Sequence, residues 1–395
     1  MPHFINSKKS MFLGTFIIFL VSSAYQFNIS TLPNPTAFKL SHYTILNIEN
    51  QSFRLGLDFS SINTFVFSTN CSCTSGSSFL QGIPADLELL TIFQPNSKEI
   101  NYKNFVLSGF ENIYSIQDTS PSLSYNFFVV EKAPDFPLDF QLDGILGLGH
   151  GTNETDDTFT ESILTDTHKV SFAIVLNSYY NTSFSPLIEF GQDDIKDFFQ
   201  GKQRKKELKE NSNEWKLYTN RIQLNDYWTE FEAFGRFDIN SKEILVPESY
   251  YGNVTKTLND SFNNLSENLD FPCEESEIDS FKSVIFKIQS TKFPVRPRNY
   301  IEYRNGKCCL LVKKTSGSTW VFGEPFFKDY FIRFNYADND ITFYQLDKFM
   351  PGFYEISIAV FIILVFITSI CGGWCLTSRN FRYSKQDMLL DKRTS

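Results

Sequence analysis

Residues 55–61 read LGLDFSS, and residues 235–241 read GRFDINS. Each is a short apolar or aromatic run entering an Asp-x-x-Ser turn: Asp58-Phe59-Ser60-Ser61 in the first half, Asp238-Ile239-Asn240-Ser241 in the second. An apolar-apolar-Gly strand follows each turn at a similar distance. Ile145-Leu146-Gly147 closes 89 residues after Asp58, and Val321-Phe322-Gly323 closes 85 residues after Asp238. A turn-and-strand unit repeated in both halves reads as two related lobes. One carboxylate per lobe is what a shared-proton pair needs. Two close like charges cannot both ionise, so such a pair holds an acid and a base together.

Around these units the chain reads as strands. Short apolar and aromatic runs bounded by turn residues recur at 53–58, 64–68, 125–130, 170–176, 186–190, 283–288 and 331–344, which predicts an all-β architecture. Two short helices are expected, near Phe159–Leu164 and Pro325–Tyr330.

The two ends predict the compartment. Lys8 and Lys9, the apolar run Met11–Val21 and the small residues Ser22-Ser23-Ala24 follow the order of a secretory signal peptide, residues 1–24, cut after Ala24. Residues 356–376 read ISIAVFIILVFITSICGGWCL, 21 residues without a charge. At about 1.5 Å of rise per residue they cross a hydrocarbon core of about 30 Å. The expected transmembrane helix is 356–378. The tail 379–395 carries Arg379, Arg382, Lys385, Lys392 and Arg393 against Asp387 and Asp391, an excess that places it in the cytosol. N-x-Ser/Thr triplets begin at Asn28, Asn50, Asn70, Asn153, Asn181, Asn253, Asn259 and Asn264, none of them in the tail. These features describe a single-pass type I membrane glycoprotein whose bulk is luminal or extracellular, in the endomembrane system or at the cell surface.

A net charge of −9 argues against nucleic acid or an anionic membrane surface as a partner. The basic cluster Lys202, Arg204, Lys205, Lys206 and Lys209 is interleaved with Gln and Glu and reads as a solvated loop. Cys71, Cys73, Cys273, Cys308 and Cys309 fall on the luminal side, where disulfides form. Five is odd, so at least one thiol is free or pairs with another chain. His3, His42, His150 and His168 form no ligand spacing with the cysteines, and neither metal nor cofactor is expected.

At the repeated turns the chain resembles the pepsin-like (A1) aspartic protease family. The family's first motif, DTGSSNLWVPS, aligns with DFSSINTFVFS, Asp58 to Ser68. Its FDGILGLG aligns with Leu142-DGILGLG, intact from Asp143 to Gly149. Ile100-Asn101-Tyr102, followed by Ser108-Gly109, fits the flap and makes Tyr102 the flap tyrosine. The second motif, DTGTS with a later Pro, aligns with Asp238-Ile239-Asn240-Ser241-Lys242 and Pro247, and the closing motif with Trp320-VFGEPFFKDYFIRFN. The resemblance spans roughly residues 42 to 346. It implies a bilobal pepsin-like fold with a short N-terminal segment (25–41), an N-terminal lobe (42–176) and a C-terminal lobe (177–349). It implies Asp58 and Asp238 as the catalytic pair, a polypeptide substrate or peptide ligand, and a bridge from Cys273 to Cys308 or Cys309.

Four departures bear on activity. Phe59 and Ile239 stand where the family has threonines whose hydroxyls bond across the lobes. Ser60 and Asn240 stand where glycines let the backbone approach the carboxylates. Ser61 and Ser241 keep hydroxyls able to support an outer carboxylate oxygen. These changes predict a loosened dyad, and predict that restoring both Thr and both Gly speeds cleavage. The flap turn carries Lys103, Asn104 and Phe105 where the family has small mobile residues, and the seventeen residues between Ala24 and His42 hold no counterpart of the family's longer basic pro-segment. Two readings follow: an endopeptidase in which Asp58 and Asp238 activate water, and a membrane-anchored binding module whose cleft holds peptides without cutting them.

Overall fold

The computed structural model describes residues 25–33, 39–49, 51–73, 97–117, 123–137, 140–151, 158–164, 170–177, 185–191, 203–208, 214–262 and 265–346. The expected signal peptide, transmembrane helix and tail lie outside these residues. Among the described residues no helix is long and apolar enough to cross a membrane.

The first half supplies β1 (Tyr25–Thr31), β2 (His42–Ile48), β3 (Gln51–Asp58), β4 (Phe65–Cys73), β5 (Lys98–Tyr102), β6 (Phe105–Ile116), β7 (Leu123–Ala133) and β8 (Gly144–Gly147). Helix α1 (Phe159–Ile163) leads to β9 (Ser171–Val175), β10 (Leu187–Phe190) and β11 (Gln203–Glu207). The second half supplies β12 (Lys216–Leu224), β13 (Tyr227–Phe237), β14 (Ile244–Pro247), α2 (Glu248–Ser261), β15 (Asp270–Pro272), β16 (Val284–Ile288) and β17 (Thr291–Val295). It closes with α3 (Pro297–Tyr300), β18 (Ile301–Arg304), β19 (Lys307–Leu310), β20 (Val312–Thr315), β21 (Trp320–Phe322), α4 (Glu324–Phe327), β22 (Tyr330–Asn335) and β23 (Asp340–Gln345).

The repeat seen in the sequence is a repeat of topology. In the first lobe β8 runs between β3, to which it is parallel, and β4, to which it is antiparallel, while β4 and β7 are parallel. In the second lobe β21 runs between β13, parallel, and β14, antiparallel, while β14 and β20 are parallel. The closing glycines are required by this crossing. A Cβ on Gly147 would stand 2.6 Å from the Asn63 carbonyl oxygen, and one on Gly323 2.1 Å from that of Ser241, so only glycine lets the loop after each aspartate pass over its strand.

Among the described residues, a sheet of 13 strands in the order β11-β23-β22-β9-β10-β1-β2-β3-β8-β4-β7-β6-β5 joins the two lobes. The second lobe adds a 7-stranded sheet, β17-β16-β12-β13-β21-β14-β20, and a 3-stranded one, β15-β19-β18. The segment before His42 is thus more than a leader: β1 pairs with β10 from Tyr25↔Phe190 to Asn28↔Leu187 and then with β2. The shared sheet also straddles the expected lobe boundary at 176/177, because β10 pairs with β9 and β9 with β22.

The architecture is mostly β rather than all-β. Helix α2, 14 residues long, was not expected: Tyr250, Tyr251, Gly252, Asn253, Thr255 and Asn259 are weak helix formers, and it buries only Val254, Thr257 and Leu258. The run 331–344 is two strands that meet in a hairpin, with Asn339 at φ 52° in the turn. Cys273 bonds Cys308, with Cα atoms 5.7 Å apart, which resolves the alternative left by the paired cysteines, and Cys309 is free.

Candidate active site

Asp58 is the last residue of β3, where the strand passes from alternating to continuous burial as it enters between β2 and β8. Asp238 directly follows β13 in the matching position. In each turn the residue two places on folds its backbone N–H onto the carboxylate: Ser60 N donates to Asp58 Oδ1 at 2.9 Å, and Asn240 N to Asp238 Oδ1 at 3.0 Å. This Asx-turn geometry decides which neighbours serve the acids. It brings the Ser60 hydroxyl to Asp58 Oδ1 at 2.6 Å and carries the next residue past the carboxylate. Accordingly Ser61 Oγ accepts from Asn63 N at 3.1 Å, and Ser241 Oγ donates to Glu243 O at 2.7 Å. The expected support of an outer carboxylate oxygen by Ser61 or Ser241 is corrected: both hydroxyls bond backbone groups instead, and the hydroxyl that reaches a carboxylate is that of Ser60, on the turn-side oxygen Oδ1 of Asp58.

The flap is the β5–β6 hairpin, held to the body by Asn63 Nδ2 donating to Asn101 O at 3.2 Å. Tyr102 is 1% exposed and packs edge-on to Phe65, ring centroids 5.1 Å apart. Its hydroxyl donates to Asp58 Oδ2 at 2.7 Å. Lys103, at φ 53° in the turn, places Nζ 3.2 Å from the same oxygen. Sequence reasoning treated Lys103 only as bulk in a mobile turn; a cation next to the flap tyrosine was the signal to read.

The two carboxyls are driven apart. Burial alone pushes Asp58 up, but the Lys103 ammonium, then Ser60 and Tyr102, outweigh it and hold the group below the usual carboxylate range. At Asp238 burial dominates and the Asp58 charge adds to it. Arg236, Asn240 N and Lys103 oppose without prevailing, so this carboxyl is raised.

The lobes are tied by Asn240. Its Oδ1 accepts from Ser41 N at 2.9 Å and His42 N at 3.0 Å, and its Nδ2 donates to Leu57 O at 2.6 Å, immediately before Asp58. The residue expected only to crowd a glycine space is the polar link between the two aspartate turns. His42 is buried beside it, with Nδ1 2.9 Å from Ser41 Oγ and Nε2 4.0 Å from Glu324 Oε1. Burial lowers its pKa to about 4, against the pull of Glu324 and with a smaller push from Lys328. Where paired hydroxyls are missing, hydrocarbon fills the space. Phe59 stands edge-on to Phe172, Phe327 and Phe334 at 5.8, 5.8 and 5.3 Å, and Ile239 is wholly buried. Such aromatic pairs add roughly 0.5–1.5 kcal/mol each beyond area burial, and they give part of the 43 phenylalanines a place under the dyad.

Comparison with known proteins agrees with this geometry. A family model described as eukaryotic aspartyl protease matches residues 44–346. The chain is 22% identical over 349 residues to the aspartic-type endopeptidase ctsD of Aspergillus fumigatus, covering 79% of this chain and 68% of that one. It is 24% identical over 305 residues to pregnancy-associated glycoprotein 2 of Bos taurus (72% and 76% covered). To pepsin II-2/3 of Oryctolagus cuniculus it is 23% identical over 318 residues (74% and 76%).

Proposed function

The chain belongs to the eukaryotic aspartyl protease family, and from that premise we propose that it is an aspartic-type endopeptidase in which Asp58 and Asp238 activate water against a peptide carbonyl. One observation carries the reading: two carboxyls stand on turns joined through Asn240, and burial together with the Asp58 charge raises Asp238 towards the protonated form, a bias that outlasts departure of the flap tip. Asp58 then takes the proton of the attacking water as general base, and Asp238 donates to the carbonyl oxygen as general acid. The roles exchange as the intermediate collapses, and the pair titrates jointly. The reaction requires the flap tip to leave Asp58 Oδ2, where water must bind.

A peptide-cleavage assay across pH tests this. The rate is expected to be bell-shaped and maximal in acid, and Asp58→Asn or Asp238→Asn alone to lower it by roughly 10²–10⁴-fold. The occupation of Oδ2 by Tyr102 and Lys103 favours a second reading, a peptide-binding module that does not cut. Absence of cleavage by folded protein at any pH would leave that reading standing alone.

We also propose that the protein is anchored by 356–378, with residues 1–24 removed and 379–395 cytosolic. The uncharged span and its basic flank support this, as does a disulfide suited to an oxidising compartment. In sealed microsomes an epitope on the tail should be digested by added protease; a protected tail would overturn the topology.

A further inference from the structure

The Asp58 carboxylate is saturated. It has about four lone-pair sites, and four donors meet it: Ser60 N at 2.9 Å and Ser60 Oγ at 2.6 Å on Oδ1, Tyr102 OH at 2.7 Å and Lys103 Nζ at 3.2 Å on Oδ2. The Oδ1 donors belong to the aspartate's own turn and are fixed. Both Oδ2 donors belong to the flap tip and move with it. To bind water at Oδ2, Asp58 must give up the Lys103 ammonium. The Lys103 side chain is 31% exposed and Tyr102 beneath it is buried, so the ammonium is partly desolvated, and an anion that takes the place of Asp58 beside it is favoured. Asp238 must keep its proton to serve as general acid.

A carboxylate brought by the substrate fills that place. On the proposal that the site cleaves or binds peptides, we infer that Lys103 is a specificity residue that selects peptides carrying Asp or Glu beside the scissile bond. The incoming carboxylate takes the ammonium from Asp58 and so uncovers Oδ2. Reach limits the position: Nζ lies within 3.2 Å of the oxygen that must hold the attacking water, so only residues flanking the cleaved bond can meet it. The flap tip thereby couples recognition of the correct peptide to exposure of the general base.

The test uses the full-length protein and two peptides that differ only in Glu or Gln beside the scissile bond, at a pH where the glutamate is ionised. The parent is expected to favour the Glu peptide by roughly 10- to 100-fold in kcat/KM, the range of one charge-assisted hydrogen bond. Lys103→Gln should reduce the preference to within about twofold and raise turnover of the Gln peptide. Lys103→Glu should reverse it towards a Lys peptide. Equilibrium affinities of the same peptides on Asp238→Asn, with and without Lys103→Gln, read the subsite without chemistry. If nothing is cleaved but the Glu peptide binds tighter only when Lys103 is present, the endopeptidase reading fails and the subsite stands. Equal affinity and turnover for both peptides, or a Glu preference that survives Lys103→Gln, would overturn the inference, since Lys103 would then simply swing into water.

Discussion

Asn240→Gly puts back the residue that the protease family has at this place, and the structure reverses what that change should do. The side chain makes three bonds, from Ser41 N at 2.9 Å, from His42 N at 3.0 Å and to Leu57 O at 2.6 Å, and all three join the second aspartate turn to the first lobe. Each half-buried bond contributes about 1 kcal/mol net. With the added backbone freedom of glycine in the unfolded chain, the variant should lose roughly 3–4 kcal/mol. For a domain of this size that is a fall in Tm of about 5–10 °C. The bond from the backbone N of residue 240 to Asp238 survives, so the acid is retained while its placement against Asp58 loosens. Misplacement of about 1 Å lowers turnover on the order of 100-fold. Thermal melts and peptide turnover should be measured on the same preparations. Phe59→Thr is the companion case: it opens a cavity between Phe172, Phe327 and Phe334, at about 3–5 kcal/mol for a change of that kind. An Asn240→Gly protein as stable as the parent and faster in cleavage would refute the argument, and would mean that Asn240 only crowds the site.

His42 gives a prediction on pH. Its pKa falls from 6.5 to about 4 on folding, so between these values the unfolded chain binds the proton and the folded one does not. The contribution of neutral His42 is therefore full above pH 6.5 and drains away as pH falls to 4, reaching roughly 3 kcal/mol in all. The raised Asp238 acts in the opposite sense, so the quantity to measure is parent minus His42→Gln. The parent should lose about 3 kcal/mol more between pH 7 and pH 4, and a difference below about 1 kcal/mol would contradict the burial argument. For the disulfide, non-reducing peptide maps should link Cys273 to Cys308. Cys273→Ser should remove about 4 kcal/mol, the chain-entropy value for a loop of 35 residues, while Cys309→Ser leaves the melt nearly unchanged; a Cys273–Cys309 link would refute the pairing.

The parts of this protein legible in the sequence are those set by local rules. Asp58 and Asp238, their Asx turns, and the closing Gly147 and Gly323 can be read because each follows from a few neighbouring residues and occurs twice. Strands β3, β4, β7 and β9 show as apolar runs because both of their faces are largely buried. Helix α2 did not show, since three buried residues in fourteen leave little period to read. Strand β1 carries the alternation Tyr25, Phe27, Ile29 of a half-buried strand, but its place in the sheet is set by a partner near residue 190, which the order of residues 25–31 does not encode. The chemistry around the dyad was decided at the same range. Ser60 rather than Ser61 serves Asp58 because of how the turn closes, a matter of backbone direction. Asn240 is a tie and not an obstruction only because Ser41, His42 and Leu57 arrive from almost two hundred residues away. Lys103 governs Asp58 because the flap folds down on it. Sequence specifies which groups a chain carries and where it turns; which donor meets which acceptor depends on approach between distant segments, and only the packed lobes set that distance.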